Sequence, residues 1–192
     1  IHGNADGTVN INGAIRNPSN EQPSSQLPVL SYNFNNNSLS GRVVFDGSGK
    51  DNHGTTYFSP HLNLSGLSFN RGAYLSFNGS QYIEVLDSSS LNIQTNISIS
   101  AWIRTTSSAD QRILQKYTGA AAGYAFGTDS SIPGRLKFWS SGTGAWRFST
   151  GTVHDGKLHH VVVTTNNTDT LFYIDGLFDS SGGSFVAPTS SA

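Results

Sequence analysis

From Leu27 to Asp179 the chain never keeps a helical spacing of apolar residues for long. Short alternating runs are cut by Gly, Asn, Asp and Ser at roughly eight-to-twelve-residue intervals, the spacing of an all-β sandwich or jelly roll. The clearest run is 97–104. Ile97, Ile99, Ala101 and Ile103 fall on one face, and Ser98, Ser100 and Trp102 fall on the other. Trp102 implies that the second face is also partly covered. Strands are predicted over 29–34, 42–45, 55–58, 73–77, 82–85, 97–104, 112–117, 124–127, 135–139, 146–149, 158–165 and 171–174. These lengths suit strands and are too short for helices. The fold class is therefore all-β: a two-sheet antiparallel jelly-roll sandwich.

Composition narrows the function. Charged residues are 12% and the net charge is −1, so no basic face can drive nucleic-acid binding. No apolar run approaches the roughly 20 residues of a membrane helix. Cysteine is absent, which excludes disulfides, thiol nucleophiles and thiolate metal sites. Ser, Thr and Asn supply 62 of 192 residues, against only four Lys and two Glu. A surface of neutral hydroxyls and amides points to an extracellular or cell-surface protein. The start at Ile1, with no Met anywhere, reads as a processed or excerpted mature chain with any leader already gone. Sequons at Asn36, Asn63, Asn78, Asn96 and Asn166 are candidate glycosylation sites. Glycans there would coat the outer faces.

Residues 1–26 differ from residues 27–192, which form the jelly-roll domain. They carry no aromatic residue, and 17–26 reads as an extended linker containing Pro18 and Pro23. Before the linker, 8–16 alternates, with Val9, Ile11 and Ile15 on one face. This is one strand with no hairpin partner nearby.

Several segments, taken in order, resemble the laminin-G-like, concanavalin-A-like jelly-roll family. They are Leu30-Ser31-Tyr32-Asn33-Phe34, the turn from Asp46 to Gly54, and Leu75-Ser76-Phe77-Asn78-Gly79 with Tyr82-Ile83-Glu84-Val85. Ser90-Leu91-Asn92-Ile93 and Ile97-Ser98-Ile99-Ser100-Ala101-Trp102-Ile103 follow. Leu158-His159-His160-Val161-Val162-Val163-Thr164 and Phe172-Tyr173-Ile174-Asp175-Gly176 complete the set, with Leu158 where the family usually has Trp. The resemblance implies a lectin-type sandwich that often carries one calcium ion. It also implies further closing strands after Asp175-Gly176, and these are not legible before Ala192. An unfilled sandwich leaves an open edge. Strand 8–16 could fill it, within its own chain or head-to-tail in a neighbouring copy, which would build a filament. The alternative is that the closing strands belong to a longer chain.

Asp46, Asp51 and Asn52 are the candidate calcium ligands, because calcium takes oxygens from carboxylates, amides and carbonyls. The same turn is also self-sufficient as a Gly-rich Asx loop. Trp139, Trp146, Tyr117 and Tyr124 are the candidate sugar-stacking residues, and the alternative for each is the sandwich core. His159 and His160 adjoin within a strand and so face opposite ways. Glycoside hydrolysis needs two carboxylates across a bond. Only Glu84 lies clearly within a predicted strand, and no nucleophile elbow is present. No enzyme is expected. The leading expectation is a self-assembling structural subunit. The runner-up is a carbohydrate- or surface-binding module of a larger secreted protein.

Overall fold

The computed structural model describes residues 27–34, 39–58, 61–63, 74–118, 122–166 and 168–188. Among them, the regular elements are antiparallel strands and one 3-10 turn at Ser89–Leu91. The chain divides between Leu91 and Asn92 into two compact units.

The first unit holds a four-stranded sheet. Its order is β1 (Leu39–Ser40), β2 (Val43–Val44), β3 (Gly54–Tyr57) and β6 (Tyr82–Val85). A separate ribbon pairs β4 (His61–Asn63) with β5 (Tyr74–Ser76). Tyr57 and Tyr82, directly opposite on β3 and β6, stack at 4.9 Å. The strand predicted at 29–34 does not form. The segment is held by side chains instead: Ser31 N–H donates to Asp46 Oδ1 at 2.9 Å, and Asn52 Nδ2 donates to the Val29 carbonyl at 2.6 Å. Polar tethers have replaced a ladder there, a substitution that alternation of side chains cannot reveal.

The second unit is a sandwich. One sheet runs β11 (Trp146–Thr152), β10 (Arg135–Ser140), β9 (Ala122–Thr128), β8 (Gln111–Thr118). The other runs β14 (Leu177–Ser184), β13 (Asp169–Ile174), β12 (Leu158–Thr165), β7 (Ser98–Arg104). Alternate residues of both sheets point inward and meet in one core. Tyr124, Phe126, Leu136 and Phe138 come from the first sheet, and Ile99, Val161, Val163 and Phe172 come from the second. The expected all-β, jelly-roll-type sandwich is thus the fold.

Strand β14 was not legible in the sequence. Asp175 and Gly176 both take positive φ, 53° and 81°. That geometry closes a two-residue hairpin, and Asp-Gly is a favoured pair for it. The Ser- and Gly-rich segment that follows reads as a loop. It pairs along β13 nonetheless, because a small residue is needed there: a Cβ on Gly182 would come within 2.8 Å of the Phe172 ring. Phe185 then enters the core, and Val186 N–H donates to Thr143 Oγ1 at 2.9 Å. A Cβ on Gly142 would collide with the Ala187 carbonyl, so the tail docks closely on the β10–β11 turn. The expectation of a sheet left open after Asp175-Gly176 is corrected to this extent: β13 is paired by β14. Asp179 of β14 accepts from Gly151 N–H at 2.9 Å and Thr150 N–H at 2.8 Å, stitching the edges of the two sheets. The proposed donor residues Val9, Ile11 and Ile15 lie outside the described residues, as does Asn36.

Candidate functional site

Strand β10 sets the site. Leu136 and Phe138 enter the core, so Arg135, Lys137 and Trp139 must stand on the opposite, outer face. Register carries that face across the sheet. Trp146 of β11 lies opposite Trp139, and Phe148 lies opposite Lys137. On the other side, Ala125 of β9 lies opposite Trp139 and is itself paired with Gln115 of β8. Tyr117 reaches across this small residue to meet the Trp139 ring edge-on at 5.4 Å. The result is an aromatic strip across the sheet, with Tyr117 46% exposed at its margin.

Trp146 is gripped by cations. The Arg112 guanidinium lies 4.9 Å from its ring centre and Lys137 Nζ lies 4.7 Å away. Lys137 is only 4% exposed. Its charge is met by Asp110 Oδ2 at 2.5 Å and, more loosely, Asp129 Oδ1 at 3.9 Å. Arg135 donates to Asp129 at 2.8 Å and covers the Phe148 ring at 4.1 Å. The Lys137 ammonium holds the Asp110 carboxyl below the usual carboxylate range. Burial would raise the pKa of Asp129, but Ser131, Arg135 and backbone N–H groups outweigh it and bring it down to about 2. Both carboxylates therefore stay ionised and brace the lysine.

Three of the four expected stacking residues, Tyr117, Trp139 and Trp146, come together on this face. Tyr124 does not. It points inward, is 4% exposed, and its hydroxyl is pushed up to about 12 by burial. Its register explains this: Tyr124 is one residue from Ala125, and so faces the other way. No local sequence pattern marks Arg112, Lys137 or Asp110 as part of this site. Period-2 spacing puts Lys137 on the Trp139 face, but only the cross-strand register reveals that it sits against Trp146.

Asp46 and Asn52 come together in the Gly-rich turn, whereas the Asp51 side chain is 90% exposed. Asp46 accepts from Ser31 N, Ser48 N, Ser48 Oγ and Asn52 N. A carboxylate already taken up by four donors does not fit a calcium ion, which needs bare oxygens. Among the described residues, no three His, Asp or Glu side chains converge as a metal site. Asn78, Asn96 and Asn166 are exposed. The side chain of Asn63 is outside what the structure describes, although its backbone belongs to β4.

The adjacent histidines do separate. Burial lowers His160, whose Nε2 lies 2.9 Å from Ser100 Oγ. His159 instead bridges two carboxylates, with Nδ1 2.8 Å from Asp175 Oδ2 and Nε2 3.0 Å from Asp155 Oδ1. A neutral imidazole has one N–H and can donate to only one of them, whereas the imidazolium serves both. Burial alone would lower its pKa, but Asp155 and Asp175 outweigh it and the net shift is upward. A raised folded pKa means stability that is fully present below the unfolded value of about 6.5 and lost as pH rises through the folded value. The contribution of this bridge to the unfolding free energy should therefore decline on the alkaline side of about pH 6.5, against the opposite trend from the lowered pKa of His160. His159→Gln should flatten that decline in urea titrations run at successive pH values. An unchanged slope in the variant would refute the assignment.

Among the described residues, no helix is long and apolar enough to cross a membrane. The family model described as the concanavalin A-like lectin/glucanases superfamily matches residues 77–192, which includes the whole sandwich unit. No curated protein matches the chain.

Proposed function

Since the chain belongs to the concanavalin A-like lectin/glucanase superfamily, we propose that it is a non-enzymatic, extracellular glycan-binding module whose contact surface is the outer face of the β8–β11 sheet. The observation that carries this reading is the strip of Tyr117, Trp139 and Trp146, margined by Arg112, Gln115 and Asp110 and braced from beneath by the buried Lys137. Flat rings take the apolar faces of sugars, and the polar margin can meet hydroxyls. The cations that hold Trp146 also fix it in place, so less side-chain entropy is lost on binding. Family membership alone would allow hydrolysis, since fold does not imply function. The local chemistry favours binding. A glycosidase needs one carboxyl held protonated as general acid, and Asp110 and Asp129 are both pulled the other way.

Screening the protein against a glycan array, followed by affinity electrophoresis in the polysaccharides that score, tests the reading. Tyr117→Ala should weaken retention by roughly tenfold or more, as expected of an interface anchor worth about 2 kcal/mol. Its exposure means that the fold should survive. Retention unchanged in both Tyr117→Ala and Trp146→Ala would overturn the reading. The filament reading draws its support from the alternation of Val9, Ile11 and Ile15 alone. It is tested by whether deletion of residues 1–16 abolishes any oligomer seen at native concentration.

A further inference from the structure

We propose that Asn78 is a self-modifying site: its side chain closes onto the following peptide and converts, without an enzyme, to aspartate and isoaspartate. Three observations meet there. Gly79 follows it, so no side chain shields the attacking nitrogen, and the space a Cβ would occupy is open. Asn78 is exposed, which admits the water and hydroxide that the reaction consumes. Its Oδ1 accepts two hydrogen bonds from Ser80, from N–H at 3.1 Å and from Oγ at 2.8 Å. An Asx turn of this kind folds the side chain back over the Gly79 peptide. The same two donors sit where negative charge develops when the amide carbonyl is attacked, the arrangement by which oxyanions are stabilised.

The step balances with water alone. Hydroxide removes the Gly79 N–H proton, and the nitrogen bonds to Asn78 Cγ. The Cγ–Nδ2 bond breaks, and ammonia leaves after taking a proton from solvent. Water then opens the succinimide at either carbonyl. Opening at one gives aspartate. Opening at the other gives isoaspartate, which routes the backbone through the side chain. Isoaspartate would displace Asn78 N–H from Gln81 Oε1, now 2.9 Å away, and so loosen the Gln81 Nε2 bond to the Phe58 carbonyl, also 2.9 Å. That pair ties the end of β3 to the start of β6. A glycan on Nδ2 would occupy the leaving nitrogen, so the two modifications exclude each other.

The test incubates the full, unglycosylated chain from a bacterial host at mildly alkaline pH and maps its peptides by mass and by isoaspartyl methylation. The peptide containing Asn78 should gain the mass of an NH₂-to-OH exchange. It should do so faster than the peptide holding Asn12, the other Asn-Gly pair, and faster than the same site in urea-unfolded chain. Ser80→Ala should slow the change several-fold. The proposal is overturned if Asn78 reacts no faster folded than unfolded, or if Ser80→Ala leaves its rate unchanged.

Discussion

Phe172→Ala is expected to lower the unfolding free energy by about 3–5 kcal/mol, the range for deleting a buried aromatic ring. Phe172 is fully buried on β13, in the same core as Phe126 and Phe138 of the opposing sheet. Its ring also seats Gly182 of β14, so the strand behind it and the sheet in front both lean on it. Little can collapse into the space, because the neighbouring positions are fixed by two ladders. A domain of this size is stable by only about 5–15 kcal/mol, so the loss is a large fraction of the total. All three tryptophans, Trp102, Trp139 and Trp146, belong to the sandwich unit, which makes indole fluorescence in a urea titration a direct readout. Phe172→Leu should recover much of the loss. A midpoint shift equivalent to less than about 1 kcal/mol for the alanine variant would contradict the packing described here.

The sandwich was largely legible because its strands bury alternate apolar residues, and alternation is written in the sequence. Ile97 to Arg104 and Leu158 to Thr165 are examples, and they pair in register from Ser98–Thr164 to Arg104–Leu158. What escaped is whatever owes its shape to partners distant in sequence. Strand β14 is Ser- and Gly-rich, and its strand character comes from the ladder of β13 and from the Phe172 ring. The segment 29–34 has a strand's alternation, yet its backbone groups answer to Asp46 and Asn52. The candidate site divides the same way. Trp139 and Trp146 were visible as aromatics at the two ends of a Gly-rich turn. The cations that brace Trp146 come from β8 and β10, and no local pattern announces that Arg112 and Lys137 converge on one ring.

Asp46→Ala should cost about 3 kcal/mol or more, and its reach is set by a polar hub in place of an apolar core. In the first unit, few described apolar residues are fully buried, Val44 foremost among them. The turn is held instead by Asp46, whose oxygens take Ser31 N at 2.9 Å, Ser48 N at 2.9 Å, Ser48 Oγ at 2.6 Å and Asn52 N at 3.1 Å. Asn52, 3% exposed, continues the network to Val29 O, Ser90 Oγ and Ser88 Oγ. Alanine would strand three backbone N–H donors, since the Ser48 hydroxyl can still turn to the Val29 carbonyl at 3.3 Å, and each buried unpaired donor costs roughly 1–3 kcal/mol. Asp46→Asn should fare little better, since one amide oxygen cannot replace two and the NH₂ would face other donors. Burial opposes ionisation of Asp46, but Ser48, Ser31 and Asn52 outweigh it and hold its pKa down. A depressed folded pKa means stability present above the unfolded value of about 3.9 and lost as pH falls through the folded one, so acid should mimic the mutation. Amide exchange provides the local readout. In Asp46→Ala, and in the wild type at low pH, protection at Asn52 N–H and at Gly47 N–H, which donates to the Ser31 carbonyl at 2.8 Å, should collapse together. Protection that persisted at both amides would mean that the turn is held by its glycine geometry and that the carboxylate is dispensable.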